Sequence, residues 1–482
     1  MIYGANVRLA TSKTNYMRLK TTLSGILALS LSTIAMQAQK PAQLWLTTND
    51  GTSLLHREAD LKWTKAPSTG AIISVNDSKR FQTIDGFGHA LTGGSAQLLM
   101  KMSPAARSTL LHELFGTGDG QIGMSYLRVS VGASDMNAYV YTYDDMPAGE
   151  TDPELKHFTL AEDEKDVIPV LKEILTINPR IKILASPWTA PSWMKTNENV
   201  KGGALKKEYY PVYAQYWVKY LQGMKAHGIT IDALTVQNEP ENPKNTPSLV
   251  MTADEEAEFI GQHLGPALHT AGLQTKIIAF DHNCDHPNYP ETVLKDAKSG
   301  PVTDGSGFHL YLGDISAMTQ VHDAYPQKNI YFTEQMVVAY KTKEPMPIAR
   351  PFSRVVIGAL NNWSRNVLLW NLAADPQNGP HTNNGGCPMC SGSLTLDGDK
   401  VTRLVAHYTA AHASKFVPPG SVRIGSSCEG ACPVEVVLRT PKGKYVLLVS
   451  NPDAEAREFS VRFHGKTFHT SLAAGAIATY VW

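Results

Sequence analysis

No basic cluster, internal repeat or low-complexity tract occurs anywhere in the 482 residues. The 44 basic and 44 acidic residues cancel to a net charge of +0, and no basic run exceeds a pair such as Lys206-Lys207. Phosphate recognition needs clustered Lys and Arg, so no nucleic-acid partner is expected. An apolar run of about 20 residues, the length that crosses a bilayer, is also missing, so no stable membrane span is expected. There is no His-Glu-x-x-His stretch. Neither a cofactor nor a catalytic metal is therefore expected.

Cysteine is scarce, with 5 in all. Cys387/Cys390 and Cys428/Cys432 form two close pairs, leaving Cys284 as a free core thiol. Two tight pairs suit disulfides in an oxidising compartment, or together could supply four thiolates to a closed structural zinc. An oxidising compartment is the better match to another feature. Met17-Arg18-Leu19-Lys20 is a positive stretch followed by apolar Leu23–Ile34 and small or polar residues to Ala38. That order, too short to span a bilayer, reads as a secretory signal over residues 17–38, with Met17 as the true start and the mature chain exported.

What is present is a well-buried globular composition, 43% hydrophobic and 18% charged. The length exceeds an ordinary domain of about 100–200 residues but suits a barrel of about 250 with an added domain. Residues 40–83 and 404–482 read as β-rich ends that pair into a side β-sandwich. Candidate strands there are Leu44–Thr48, Ala71–Val75, Val434–Leu438, Tyr445–Val449, Phe459–Phe463 and Ala476–Val481, separated by turn residues.

Residues 84–403 alternate. Short apolar runs fall at Ile84–Gly88, Ser125–Val129, Ile181–Ala185, Ala233–Val236, Lys276–Phe280, Gly307–His309, Ile330–Thr333 and Asn366–Trp370. Between them lie helical patterns with start signals at Ser103-Pro104 and capping boxes at Thr159/Glu162 and Thr252/Glu255. After Glu162, the residues Val167, Ile168, Leu171, Ile174 and Leu175 share one helical face. Eight such units predict an α/β fold, a (β/α)8 TIM barrel, with a doubly wound sheet as the alternative.

In a barrel, chemistry sits at the C-terminal strand ends. There the sequence places Arg128, Trp188, Asn238, Glu239, His309, Tyr311, Glu334 and Trp370. Two carboxylates amid aromatic side chains suit a sugar site, one acting as acid on the leaving oxygen and the other meeting the oxocarbenium-like carbon. Glu239 and Glu334 lie on strands four and seven, nearly opposite across the barrel, and are the candidate catalytic pair.

The motifs Ser186–Lys195, Gln237–Pro240, Phe308–Tyr311, Thr333-Glu334 and Trp370–Ala373, with Asp85–Gly88, Leu127–Val129 and Tyr480–Trp482, resemble glycoside hydrolase family 30. That family includes acid β-glucocerebrosidase, β-glucosidases and endo-β-1,6-glucanases. The resemblance implies a barrel with a side β-structure from both chain ends, Glu239 as acid/base and Glu334 as nucleophile. It implies Asn238 on the sugar 2-hydroxyl, Asp135 and Trp188 on outer hydroxyls, and Trp370 as the stacking floor. It further implies Arg128, His309 and Tyr311 lining the pocket and orienting the nucleophile, and carboxyl groups about 5–5.5 Å apart for retention.

His89 departs from the family's Gly-Phe-Gly-Gly pattern and is expected either to touch substrate or to fill the rim. The Cys-bearing loop Gly379–Cys390 resembles bacterial members and would sit on the aglycone side, pinned by a disulfide. A β-glucan or β-glucoside, with β-1,6 linkage leading, is therefore the expected substrate. A glucosylceramidase would need an exposed apolar rim, which the sequence does not make obvious. A non-catalytic carbohydrate-binding protein would not need both Glu239 and Glu334.

Overall fold

The computed structural model describes residues 40–65, 70–339 and 343–482, with Ala10 and Ser12. The expected signal segment, residues 17–38, lies outside the described residues.

Eight parallel strands close into a barrel. We number them β1 (Gly86–Leu91), β2 (Tyr126–Val131), β3 (Lys182–Pro187), β4 (Ala233–Thr235), β5 (Lys276–Cys284), β6 (Thr303–Gly313), β7 (Asn329–Glu334) and β8 (Ser364–Leu369). Closure is made by β8 on β1, with Asn366 opposite Gly86 and Leu369 opposite His89, which excludes the doubly wound alternative. All eight expected runs are strands. The sixth is the longest, not the few residues expected.

These strands are buried on both faces, so they read as continuous apolar runs. Tyr126, Leu184, Ala233, Ile278, Tyr331 and Leu368 form a separate cluster within the barrel. Their strand neighbours Leu127, Ile183, Leu234, Ile277 and Phe332 belong to the larger core shared with the helices. The two-residue period of a strand produces that division. Gly88 in β1 is required by close approach: an added Cβ would lie 1.8 Å from the Tyr126 carbonyl oxygen.

Two of the three helix-start signals hold. Ser103 caps Pro104–Phe115 by accepting from the Ala106 N–H, and Thr252 with Glu255 forms a complete capping box on Ala253–Phe259. The third does not. Thr159 accepts from Ala161 in a local turn, Glu162 pairs with Lys165 and Tyr139, and the helix starts later, at Val167. Its inward face carries Val167, Ile168, Leu171 and Ile174, as the spacing predicts.

Both chain ends build one nine-stranded sheet beside the barrel. Gln43–Thr47 pairs with the closing strand Ile477–Val481, and Ala71–Thr83 lies between Val422–Glu429 and Arg457–Phe463. The strand Lys466–Leu472, absent from the expected set, returns from Arg457–Phe463 through a His464-Gly465 turn with positive φ at both residues. Alternation again sorts the side chains. Val437, Leu447 and Val449 fill the sheet's own core, whereas Val436, Leu438, Val446 and Leu448 pack into the barrel's core. Each such buried side chain contributes about 1.5–3 kcal/mol of transfer free energy, so the sheet is fastened to the barrel by its inner face.

The expected division at residue 404 falls just before the helix Val405–Ser414. Its His412 bridges Thr47 (2.8 Å) and Thr479 (2.9 Å) of the sheet. Two disulfides are present, Cys387–Cys390 and Cys428–Cys432, and Cys284 is free and buried. With the thiols oxidised in pairs, the four-thiolate zinc alternative does not apply.

Candidate active site

The C-terminal ends of the strands surround a cavity of about 670 Å³. Trp188 follows β3, Asn238 and Glu239 follow β4, Tyr311 stands in β6, Glu334 ends β7 and Trp370 follows β8; all line the cavity, as does Asp135 from the loop after β2. Arg128 and His309 do not line it, contrary to expectation. They lie one layer below, 1% and 0% exposed, and reach the cavity through the carboxylates they hold. His89 neither touches the cavity nor fills its rim: it is buried beside Met124, 3.3 Å from the sulfur.

Arg128 organises the floor. It donates to Glu334 Oε2 at 2.6 Å, Asp281 Oδ2 at 2.7 Å, Asn238 Oδ1 at 2.7 Å and Ser186 Oγ at 3.1 Å. A buried guanidinium needs such partners, since an unpaired charge in the interior costs several kcal/mol. Its plane also lies 4.9 Å from the Trp188 ring, which meets Trp370 at 5.3 Å.

His309 links the carboxylates. Its Nε2 is 3.0 Å from Asp281 Oδ1, and its Nδ1 is 3.2 Å from Glu239 Oε1 and 3.7 Å from Glu334 Oε1. Tyr311 donates to Glu334 Oε1 at 2.8 Å, and Asn242 donates to Glu239 Oε2 at 2.7 Å. All nine residues expected at the site therefore converge on one constellation.

Asp281, Asn242 and His282 were not among them. Asp281 lies in β5, where Phe280 and Asp281 both take positive φ (78° and 58°) and the register to β6 shifts. That irregularity turns the Asp281 carboxylate toward Arg128 and His309, where Thr235 also donates to it at 2.6 Å. The available signal was the Asp281-His-Asn283 stretch directly after the fifth apolar run, the one strand end from which no candidate was drawn. Glu239 is itself strained, with φ of +45° held by its N–H on the Asp281 carbonyl (3.0 Å). Such backbone costs about 1–3 kcal/mol and clusters where function over-determines it.

Three carboxylates thus face two cations. Burial favours a neutral Asp281, but Arg128, His309 and Thr235 outweigh it and hold the carboxyl far below its usual range. Burial opposes charge on His309, yet Glu334, Asp281 and Glu239 lift it to about 9. Burial acts against charge on Glu239 too, but His309, with help from His282 and Asn242, brings it to about 2. Glu334 goes the other way: burial, aided by the Glu239 charge, outweighs His309 and Arg128 and raises it. Burial and the two glutamates push Asp135 to about 8. The two glutamates are thus shifted in opposite directions, Glu239 toward the anion and Glu334 toward the acid form.

The family comparison agrees with this arrangement. Residues 84–417 match the glycosyl hydrolase family 30 TIM-barrel domain and residues 420–480 the family 30 beta sandwich domain. The chain belongs to glycoside hydrolase family 30. It is similar to the endo-1,6-beta-D-glucanase of Neurospora crassa, 36% identical over 79% of this chain and 81% of that one. It is also similar to the lysosomal acid glucosylceramidase of Mus musculus, 29% identical over 86% and 84% of the two chains. Among solved structures, an endo-beta1,6-glucanase superposes with a TM-score of 0.84 at 34% identity, over 92% of this chain and 99% of the other. This family 30 chain is a glycoside hydrolase with β-glycosidase activity on carbohydrate substrates. Among its described residues, no helix is long and apolar enough to cross a membrane.

Proposed function

We propose that the protein is an exported endo-β-1,6-glucanase that cleaves with retention of configuration, Glu334 acting as nucleophile and Glu239 as acid/base. The observation that carries the reading is the shared contact of both carboxylates with one nitrogen, His309 Nδ1, at 3.2 and 3.7 Å. It keeps their nearest oxygens within about 7 Å of each other, which is compatible with a retaining pair at about 5–5.5 Å.

The cleft awaits a polar ligand. Asp135 Oδ1 and Trp188 Nε1 are buried at its wall with no partner, and buried polar atoms are seldom left so. Sugar hydroxyls would satisfy them, with Trp370 beneath the ring and Asn238 at the 2-hydroxyl. As positive charge develops at the anomeric carbon above Glu334, the anion there is favoured, and the acid proton belongs on Glu239, beside the glycosidic oxygen. Glu239 gives that proton to the leaving hydroxyl while Glu334 forms the covalent glycosyl bond. Water then enters, Glu239 takes its proton, and the glycosyl–Glu334 bond breaks.

The outer wall supports a glucan. Glu241, Asn242, Asn245 and His286 present polar groups to a hydroxylated leaving chain, and relatives named endo-1,6-beta-glucanases match most of the chain. Export is supported by the two disulfides, which persist in oxidising compartments. A second reading has its own observation. Leu312 and Met389, 59% and 54% exposed, flank the cavity as an apolar rim that the sequence did not make obvious and that an acyl chain could contact.

Hydrolysis of a substrate panel by the mature protein separates the two. The panel comprises β-1,6-glucan, gentiobiose, laminarin, an aryl β-glucoside, an aryl β-xyloside and glucosylceramide. Short oligomers from β-1,6-glucan are expected. Glucose released from glucosylceramide alone would overturn the glucanase reading, and silence across the panel would return the chain to a binding role.

A further inference from the structure

Beyond hydrolysis, one side-chain group at the cavity has the chemistry of a metal site. Glu239, His282 and His309 each offer an atom, and these atoms all lie within 4.8 Å of one another. Glu239 Oε1 is 3.2 Å from His309 Nδ1 and 3.9 Å from His282 Nδ1. Ligands on a tetrahedral zinc, at about 2.0–2.1 Å from it, stand about 3.3 Å apart. An inward turn of His282, from 3.9 Å off Glu239 and within 4.8 Å of His309, is needed to reach that spacing.

Two independent observations point to a ligand. His282 is 8% exposed, and its Nδ1 is buried without a hydrogen-bond partner, 3.9 Å from Glu239 Oε1. His309 carries the outer support of a metal-binding imidazole: its Nε2–H donates to Asp281 at 3.0 Å, which fixes the ring and leaves Nδ1 for a cation. Glu239 and His282 both border the cavity, so a fourth position opens onto it for water or an incoming cation.

We infer that Glu239, His282 and His309 form an inhibitory site for a borderline-soft divalent cation, with Zn²⁺ as the fitting ion. The cation replaces the Nδ1 proton of His309 and occupies the Glu239 oxygen, so the carboxyl that serves as acid in the reading above has no proton to give. Binding of the cation itself does not depend on that reading, and the two fail separately.

The test is calorimetric titration of the full chain with ZnCl₂, alongside hydrolysis rates with Zn²⁺ and after added EDTA. One Zn²⁺ per chain is expected, together with inhibition competitive with substrate and reversed by the chelator. His282→Asn should weaken Zn²⁺ binding at least ~10-fold, since loss of even an outer partner costs about 10–100-fold. His286→Asn, at an exposed histidine paired with Glu241 2.6 Å away, should not. Thermal melting checks that both variants are folded, and His282→Gln gives a second reading of the same position. No binding at millimolar Zn²⁺, or binding that survives both His282 changes, would overturn the site.

Discussion

Asp281 holds His309 through a 3.0 Å contact to Nε2, and that contact aims the ring's other nitrogen at Glu239 and Glu334. It is a positioning residue: its carboxylate is fully buried and does not line the cavity at the strand ends. Replacing it with Asn leaves Arg128 and His309 without their shared counter-charge. Breaking a buried pair in this way costs about 3–5 kcal/mol. Asp281→Asn is therefore expected to lower the melting temperature by several degrees and to reduce kcat more than it raises KM. An unchanged melting temperature would refute the pairing.

The two glutamates carry the bond chemistry in this account. Glu239→Gln should cost about 10²–10⁴-fold in kcat on an unactivated glucan, where leaving-group protonation is needed. The loss should be smaller on an aryl glycoside whose leaving group needs little help. Glu334→Ala should abolish turnover on both. Steady-state rates on the two substrates make the comparison.

His309 sets the proton balance of the pair. Its positive charge favours the anionic form of both carboxyls, so removing that charge raises both of their proton affinities. A bell-shaped profile of kcat/KM against pH is expected. In His309→Gln both limbs should move to higher pH. Limbs that stay fixed would mean that His309 is neutral in the working enzyme.

Stability should fall on the acid side for a separate reason. His412 is fully buried between Thr47 and Thr479, and burial lowers it to about 3. The unfolded chain binds a proton there below its usual value of about 6.5 while the folded chain does not, so stability present above ~6.5 is lost as pH falls toward ~3. The slope is about 1.4 kcal/mol per pH unit for this one residue. Urea midpoints measured between those values should decline less steeply in His412→Gln.

The Cys387–Cys390 loop presses on Trp188 and Trp370, since Cys390 clusters with both and the loop lines the cavity. Mild reduction, or Cys387→Ser, is expected to raise KM for a glucan several-fold with less change in kcat. Kinetics on the reduced and oxidised protein measure this directly.

The barrel was legible because its strands are buried on both faces, which writes them as eight apolar runs, and the cavity because polar and aromatic residues stand directly after those runs. Asp281 was not. Its inward turn depends on two consecutive positive φ angles at Phe280 and Asp281, which strand periodicity does not encode. Thr159 illustrates the reverse failure: a capping signal is present, but Glu162 finds Lys165 and Tyr139 instead. The depth of Arg128 and His309 was also hidden, because position on a strand end does not say which layer a long side chain occupies. The strand Lys466–Leu472 alternates as a strand should, but its His464-Gly465 turn lacks the usual Asn-Gly signal.

The anomer released first from β-1,6-glucan, followed by proton NMR from the moment of enzyme addition, tests the central claim most directly. A Glu239–Glu334 pair bridged by one histidine nitrogen predicts that the new reducing ends appear as the β-anomer and only later mutarotate. First appearance of the α-anomer would mean inversion through a directly attacking water, and would contradict the double displacement assigned to this pair.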